Sequence, residues 1–272
     1  MLQIKDWLLS ATKQLRAQNI DSAVLDCELI LAHILDVDRT YLKSHDDTYL
    51  TDEQIKIADE LINKRRQRTP VAYLIGYKYF YGRKFEVNEH TLTPRPESED
   101  IIEILKSIIH HFPTSEPKLL DVGTGSGCLG VTAKLEFPRC NVALSDISSS
   151  ALDVAEKNAQ NLSARVEIIK SDLLQSINFR PNIIAANLPY VDKTWETSPE
   201  TKYEPSNALF ANDEGKELIK KLIAQASKIQ SKDDVIILES DPQQHSDLIE
   251  FAQKLGYENS KTYGYAVLLA KN

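Results

Sequence analysis

The sequence predicts an α/β protein in which a mostly parallel sheet, covered by helices on both faces, follows a small helical bundle. Three observations lead to this fold class. In residues 1 to about 72, apolar side chains recur at helical spacing. An aromatic-rich segment with a central glycine then indicates a β-hairpin. From Pro117 onward, short apolar runs alternate with helical patterns, which indicates a parallel sheet. We therefore expect a helical bundle at 1–72, a hairpin connector at 73–96 and an α/β domain at 97–272.

The composition is that of an ordinary globular protein. Of the 272 residues, 42% are hydrophobic and 26% are charged. No apolar run approaches the roughly 20 residues of a membrane span, and the N-terminus lacks the apolar core of a signal peptide. Three cysteines without metal-ligand spacing indicate a reducing cytoplasm, no disulfide framework and no metal site. The net charge of -8 argues against a protein that coats nucleic acid without sequence preference.

The bundle is expected to contain three long helices and one short helix. The apolar faces of the long helices are Ile4, Trp7, Leu8, Ala11 and Leu15; Val24, Leu25, Leu29, Ala32 and Leu35; and Ile55, Ala58, Leu61 and Ile62. Asp21 is the expected N-cap of the second helix, and Asp38 that of the short one. Thr51 and Gln54 form the capping-box pattern that opens the last helix.

A cationic run ends that last helix. It consists of Lys64, Arg65, Arg66 and Arg68. Cations at a helix C-terminus complement the helix dipole, which is the first interpretation. The second is a docking patch for an anionic partner. Because the bundle carries no catalytic constellation, we assign segment 1–72 to partner recognition.

The connector and the α/β domain follow in order. The hairpin is expected around Gly82, between Tyr77 and Val87, and a helix is expected to begin at Glu97 or Ser98. The predicted strands are 118–122, 141–145, 165–170, 182–186 and 235–239. The predicted helices are 128–136, 149–161, 214–229 and 243–255. A closing hairpin of 261–262 and 266–270 is expected at the end of the chain.

Residues 183–190, Ile-Ile-Ala-Ala-Asn-Leu-Pro-Tyr, form the first candidate site. Their first four residues are typical of a strand buried on both faces. Pro189 cannot continue a central strand, so Asn187 is expected at the carboxyl edge of the sheet, where open α/β folds place their sites. The Asn187 side-chain oxygen, the Leu188 carbonyl and the Tyr190 ring suit a planar NH2 group. A plain strand end with a turn is the alternative.

Residues 119–127, Leu-Leu-Asp-Val-Gly-Thr-Gly-Ser-Gly, form the second candidate site. Glycines let the backbone approach a ligand closely, and the following helix offers free amides. Asp146 closes the next strand, where an acid can bind ribose hydroxyls. A dinucleotide fingerprint needs glycine or alanine at position 128, which is Cys128, and the phosphate-loop spacing is absent.

Alternating glycines, Asp146 and the Asn-x-Pro-Tyr strand end together resemble class I S-adenosylmethionine (SAM) methyltransferases, whose fold has a mostly parallel seven-stranded sheet. In that family the loop wraps the methionine part of SAM and the acid holds its ribose. The resemblance therefore assigns SAM binding to Gly123, Thr124, Gly125, Ser126, Gly127, Asp146, Asp172, Leu173 and Asn187. Simple structural roles remain for two of them, since Asp172 can cap a turn and Leu173 can belong to the core.

Within this group the chain resembles the HemK/PrmC family, the glutamine N5-methyltransferases of peptide chain release factors. The matching motifs are 70–76 (PVAYLIG), 79–82 (YFYG), 85–87 (FEV), 91–99 (TLTPRPESE), 119–127 and 203–209 (YEPSNAL). The resemblance implies methyl transfer from SAM to the glutamine of the Gly-Gly-Gln motif in class I release factors. It implies no membrane association, no direct nucleic-acid binding and no metal ion. It places catalysis and substrate binding at Asn187, Leu188, Pro189 and Tyr190, with a further substrate contact at Glu204.

Three departures from the family pattern keep other hypotheses open. Leu188 stands where the family usually has proline, and Asn-Leu-Pro-Tyr is also the form of rRNA adenine dimethylases. Adenine-N6 methylation of RNA or DNA is therefore the alternative function. Residues 211–215 and 238–241 also depart from the usual forms. They motivate a third hypothesis, a SAM-binding or scaffold protein without catalysis.

The expected mechanism is catalysis by positioning. An amide nitrogen is a poor nucleophile because its lone pair is delocalised into the carbonyl. The Asn187 side-chain oxygen and the Leu188 carbonyl are each expected to accept one N–H, with Tyr190 stacked on the amide plane. No dedicated general base is evident in the sequence.

Overall fold

The protein consists of a helical unit and an α/β unit. A computed structural model describes residues 2–112 and 114–272. The helical unit comprises the chain up to Tyr77 together with Ser198–Tyr203, and the α/β unit comprises Lys78–Thr197 and Glu204–Asn272. The predicted domain boundaries after residues 72 and 96 remain predictions. Within the described residues, no helix combines the length and the apolar character that a membrane crossing requires.

In its described residues, the helical unit contains five α-helices and a two-stranded sheet. The helices are α1 (Ile4–Arg16), α2 (Ala23–Leu35), α3 (Arg39–Ser44), α4 (Asp52–Arg66) and α5 (Val71–Ile75), and the antiparallel strands are β1 (Leu2–Gln3) and β2 (Tyr49–Leu50). Its core includes Trp7, Leu15 and Ile62, each at most 2% exposed. The predicted apolar faces of α1 and α4 are buried or half-buried, as their spacing requires. The predicted face of α2 was wrong in part, because Val24 and Leu25 are 45% and 41% exposed. The buried apolar residues of α2 are Ala23, Cys27, Ile30, Leu31 and Ala32.

Two of the three predicted helix caps are confirmed. The Asp38 side chain accepts a hydrogen bond from the Tyr41 amide, and Thr51 forms a full capping box with Gln54. The prediction for Asp21 was wrong, because the N-cap residue of α2 is Ser22. The Ser22 hydroxyl donates to Asp26 instead of capping the helix.

The cationic end of α4 is partly internal, which corrects the interpretation of the whole run as a docking patch. Arg65 is only 5% exposed, and its guanidinium donates to Asp26 and to Glu200. Arg68 donates to Glu200 and to the carbonyls of Gln18 and Asn19. Burial raises the pKa of Glu200, but hydrogen bonds from Ser198 and Arg65 outweigh it and bring that pKa to about 2. These two arginines therefore hold the helical unit together.

Where the structure describes it, the α/β unit contains five α-helices and the remaining strands, of which β3 begins one residue before the unit does. The helices are α6 (Glu99–Ile108), α7 (Cys128–Glu136), α8 (Ser149–Asn161), α9 (Glu217–Ala226) and α10 (His245–Gln253). The strands are β3 (Tyr77–Phe80), β4 (Arg83–Glu86), β5 (Lys118–Val122), β6 (Asn141–Asp146), β7 (Glu167–Lys170), β8 (Ile183–Ala186), β9 (Val191–Asp192), β10 (Phe210–Ala211), β11 (Val235–Glu239), β12 (Asn259–Tyr263) and β13 (Ala266–Ala270). β3 and β4 form the predicted hairpin, whose turn residues Tyr81 and Gly82 have positive φ.

The predicted seven-stranded, mostly parallel sheet is confirmed. Its strand order is β12-β13-β11-β8-β5-β6-β7, and β13 runs antiparallel to both of its neighbours. Alternate residues of the central strands pack on opposite faces of the sheet, as the strand period of two requires. Leu119, Ile183 and Ile237 contribute to one hydrophobic cluster, and Leu120, Ile184 and Ile236 to the other. This arrangement brings the ends of β8, β5, β6 and β7 to one edge of the sheet.

The helix α9 begins later than the sequence pattern indicated. α9 starts at Glu217, whereas the pattern predicted a start at 214. Asp213, Glu214 and Gly215 have φ values of 54°, 53° and 82°, which belong to the left-handed region. A right-handed helix cannot begin there. A smaller difference affects β7, which starts at Glu167 where 165 was predicted.

Candidate active site

A cavity of about 410 Å³ opens at the carboxyl edge of the sheet. Residues that end or follow four adjacent strands line it: Gly123 after β5, Asp146 on β6, Ser171 after β7 and Asn187 after β8. Its volume is in the range of small-molecule sites, roughly 300–1,000 Å³. The edge that the strand pattern predicted as the functional one therefore does hold a cavity.

The glycine loop adopts a conformation that requires glycines. Gly123, Gly125 and Gly127 have φ values of 70°, 53° and 82°, where side chains are disfavoured. A Cβ atom at Gly123 would lie 2.8 Å from Cδ2 of Leu188, so the two candidate sites are in direct contact. Gly123 and Gly125 line the cavity, and Gly127 is the N-cap residue of α7.

Asp146 both lines the cavity and shapes the glycine loop. One of its carboxylate oxygens accepts from the Gly125 amide at 3.0 Å, and the other accepts from the Ser148 amide at 2.9 Å. A carboxylate has about four acceptor positions. Asp146 therefore keeps acceptor capacity for a hydroxyl-bearing ligand in the cavity.

A buried carboxylate supports the loop from inside. Asp121 is fully buried and accepts from the Thr124 hydroxyl at 2.6 Å and from the Gly130 amide at 2.9 Å. Burial raises its pKa to about 6, although these hydrogen bonds oppose the shift. The predicted cofactor residues Thr124 and Ser126 are themselves 5% and 2% exposed. The Thr124 side chain thus stabilises the loop through its hydrogen bond to Asp121, and any contact of residue 124 with a ligand would come from its backbone.

The strand end at 187–190 lies beside this loop. Asn187, Leu188 and Pro189 line the cavity. The Leu188 side chain is buried in the core cluster on the α9 side of the sheet. The Tyr190 ring packs against the same cluster, and its hydroxyl donates to Glu239 at 3.0 Å. Burial, followed by the Glu239 charge, raises the pKa of Tyr190 above its ordinary value.

Two residues to which the sequence assigned no role in the site complete this region. Glu239, 1% exposed, ends β11 and accepts from the hydroxyls of Ser98 and Tyr190. The Ser98 oxygen in turn accepts from the Asn187 side-chain amide at 2.9 Å. Burial raises the pKa of Glu239, and the hydrogen bonds from Ser98 and Tyr190 lower it in part. The sequence indicated Ser98 only as a helix start within the motif 91–99, and Glu239 only as a strand end within the departure at 238–241.

The remaining predicted site residues have different surroundings. Glu204 is 6% exposed and accepts from the Thr93 amide and the Arg95 guanidinium, while the nearby Asn207 lines the cavity. Asp172 lines the cavity and accepts from Lys221. Leu173 both lines the cavity and packs in the core, with a φ of 51°. Such backbone strain is typical of functional sites.

This set of residues fits SAM. The cavity combines an acid with free acceptor capacity, glycine backbone that a ligand can approach closely, and apolar surface from Leu173 and Ile147. SAM carries ribose hydroxyls, a polar amino-acid end and a flat adenine, which require those three kinds of surface. Asp146 would accept hydrogen bonds from the ribose hydroxyls, and Leu173 would contact the adenine.

Sequence comparisons extend over both units. The model of the PrmC N-terminal domain matches residues 6–76, and that of the methyltransferase small domain matches residues 104–203. The release factor glutamine methyltransferase of Koribacter versatilis is 38% identical over 82% of this chain and 81% of its own. That of Leptospira interrogans is 34% identical over 96% of this chain and 94% of its own.

A solved structure supports the fold independently. A methyltransferase from Pyrococcus furiosus, 18% identical, matches 77% of this chain and 99% of its own with a TM-score of 0.55. The likeness confirms the class I SAM-dependent methyltransferase fold that the motifs predicted. Because relatives above 30% identity span most of its length, the chain belongs to the release factor glutamine methyltransferase family.

Proposed function

We propose that the protein transfers a methyl group from SAM to the N5 nitrogen of the glutamine in the Gly-Gly-Gln motif of class I release factors. One observation carries the proposal. A single cavity is lined by Asn187 and Leu188, which suit a planar amide, and by Gly125 and Asp146, which suit the cofactor. The relatives from Koribacter versatilis and Leptospira interrogans, both named release factor glutamine methyltransferases, support methylation of a release-factor glutamine.

The chain's own contribution is to orient the acceptor amide. Asn187 presents a side-chain oxygen and Leu188 a backbone carbonyl, and each accepts one N–H of the glutamine NH2. Partial positive charge develops on that nitrogen during transfer, and acceptors already aimed at it stabilise the charge without reorganisation. SAM, when bound by Asp146 and the glycine loop, supplies a methyl group activated by its sulfonium charge. Alignment of the two reactants then provides much of the acceleration.

We further propose that segment 1–72 recognises the release factor. Arg65 and Arg68 are engaged inside the helical unit, so recognition would rest on other side chains. Leu9 and Tyr49 of this unit are 59% and 56% exposed. Aromatic and large apolar side chains are frequent anchors of protein interfaces. Substitution of both by serine would weaken methylation of the whole release factor and spare SAM binding.

The experiment that tests the proposed function is methyl transfer from labelled SAM. A class I release factor and total RNA are offered separately, and the labelled peptide is identified by mass spectrometry. We expect label on the Gly-Gly-Gln glutamine. Label in RNA alone would favour the alternative function, adenine-N6 methylation. The observation that motivates this alternative is the Asn-Leu-Pro-Tyr sequence of the motif. Binding of SAM without transfer to either acceptor would favour the scaffold hypothesis.

Asp146→Ala is expected to weaken SAM binding about 10- to 100-fold. The substitution removes a charged acceptor for ribose, a loss of about 1.5–3 kcal/mol, and also releases the Gly125 amide that holds the loop. Calorimetric titration with SAM measures the change. Asp153→Ala, which removes an exposed acid from α8, is the matched control. An unchanged dissociation constant for Asp146→Ala would remove Asp146 from the cofactor site.

Leu188→Pro is expected to leave methylation within a fewfold of the parent. The acceptor is the backbone carbonyl, which both residues provide. Proline loses about one buried methylene, roughly 0.8 kcal/mol, but it reduces the entropy of the unfolded chain by a comparable roughly 0.4–1 kcal/mol. Thermal unfolding and single-turnover assays measure both effects. Loss of glutamine methylation would show that the Leu188 side chain, buried against Gly123, has a role in catalysis.

A further inference from the structure

The buried carboxylate of Glu239 lies next to the acceptor-binding asparagine because of the register of the sheet. β11 and β8 are parallel neighbours, and Leu238 is paired with Ala186. The next residues along the two strands, Glu239 and Asn187, therefore reach the carboxyl edge side by side. Ser98, which precedes α6, completes a chain of contacts between them.

The direction of these hydrogen bonds determines how the Asn187 amide is oriented. The Ser98 hydroxyl has one hydrogen, and it donates this hydrogen to Glu239. The Ser98 oxygen can then only accept, so the NH2 end of Asn187 must face it. This contact uses the NH2 end and leaves the Asn187 oxygen for the cavity.

The same carboxylate fixes the aromatic residue of the motif. Its other oxygen accepts from the Tyr190 hydroxyl at 3.0 Å, while the Gln244 side-chain amide donates to the Tyr190 carbonyl at 2.8 Å. Tyr190 is thus held at both its ring and its backbone. A residue that joins Asn187 and Tyr190 through one buried group can keep their geometry constant during the reaction.

We infer that Glu239 and Ser98 are positioning residues that keep the Asn187 amide oxygen, and not its NH2 group, turned toward the acceptor amide. This inference rests on the proposed function. A flipped Asn187 would present N–H groups to the N–H groups of the glutamine and would repel it. The strand end alone does not determine that choice, because an asparagine side chain can adopt either orientation.

The test uses Ser98→Ala and Glu239→Gln in the full-length protein. Ser98→Ala is expected to lower kcat about 10- to 100-fold, as a misplaced reacting group does, with the release-factor KM and the SAM dissociation constant within a fewfold. Ser98→Thr, which keeps the hydroxyl, should restore kcat. Ser107→Ala is the matched control and should behave as the parent, because Ser107 lies in α6, the helix that Ser98 precedes, and its hydroxyl donates to the Ile104 carbonyl.

A double-mutant comparison separates positioning from stability. In an Asn187→Ala background, Ser98→Ala should reduce kcat no further, because the amide it orients is gone. An unchanged kcat for both Ser98→Ala and Glu239→Gln would overturn the inference. So would a full additional loss in the Asn187→Ala background, which would indicate a separate structural role.

The outcome stays distinct from that of the proposed function. If the parent fails to methylate the release factor, the proposed function fails, and the orientation is then read by NMR of the Asn187 side-chain NH2. Ser98→Ala should shift those two proton resonances and accelerate their exchange with solvent. Resonances that match those of the parent would overturn the inference, whatever the acceptor of the methyl group is.

Discussion

Asn187→Ala is expected to lower the single-turnover rate of glutamine methylation by about 10²- to 10³-fold, the cost of removing one pre-aimed polar group from a transition state. The substitution removes the side-chain oxygen that accepts an N–H of the glutamine. It also leaves the Ser98 oxygen without the Asn187 donor. The SAM dissociation constant should stay within a fewfold, because Asp146 and the glycine loop keep their own contacts.

The control for this prediction is an asparagine outside the cavity. Asn161 is exposed at the end of α8, where its side chain contacts Glu86. Asn161→Ala should keep the parent rate. Near-normal transfer by Asn187→Ala, with thermal unfolding like that of the parent, would show that Asn187 only forms the turn after β8.

The sequence predicted the sheet well because its strands carry a strong local signal. All four residues of β8 are buried, at most 1% exposed, and no polar residue interrupts them. A run that is apolar at every position, followed by Pro189, is typical of a central parallel strand. The glycine loop was predicted equally well, because all three alternating glycines have positive φ, a conformation that favours glycine.

The parts that the sequence did not reveal depend on contacts between distant residues. Ser98 and Glu239 are 141 positions apart, and only the folded sheet edge brings them together. Arg65 and Glu200 are 135 positions apart, so the cationic run showed four charges but not the acid that engages two of them. Helical spacing likewise predicts that α9 exists but not where it starts, because the left-handed residues before it do not interrupt that spacing.

Residues 211–215, which depart from the family pattern, end in Gly215, and the structure shows why a glycine is required there. Gly215 has a φ of 82°, and a Cβ atom there would lie 1.9 Å from the Tyr190 carbonyl oxygen and 2.6 Å from the Gln244 side-chain nitrogen. That nitrogen donates to the carbonyls of both Tyr190 and Glu214. The turn before α9 is therefore packed directly on the backbone of the acceptor motif.

Gly215→Ala is expected to lower both stability and activity. The left-handed conformation costs roughly 1–2 kcal/mol for a residue with a side chain, and the forced displacement of backbone adds roughly 1–3 kcal/mol. A shift of about 1 Å at Tyr190 would reduce transfer by about 10²-fold. Thermal unfolding and single-turnover methylation measure the two effects.

Gly256→Ala is the matched comparison because it carries the conformational cost without the displacement of backbone. Gly256 also has a positive φ, 90°, but an added Cβ would meet only the Lys271 side chain, at 3.8 Å. It should show the conformational cost alone and retain the parent rate of transfer. Gly215→Ala should unfold at a clearly lower temperature than Gly256→Ala and methylate far more slowly. Equal unfolding temperatures and equal rates for the two variants would mean that the turn can move away from Tyr190 without cost, and that the acceptor motif does not depend on it.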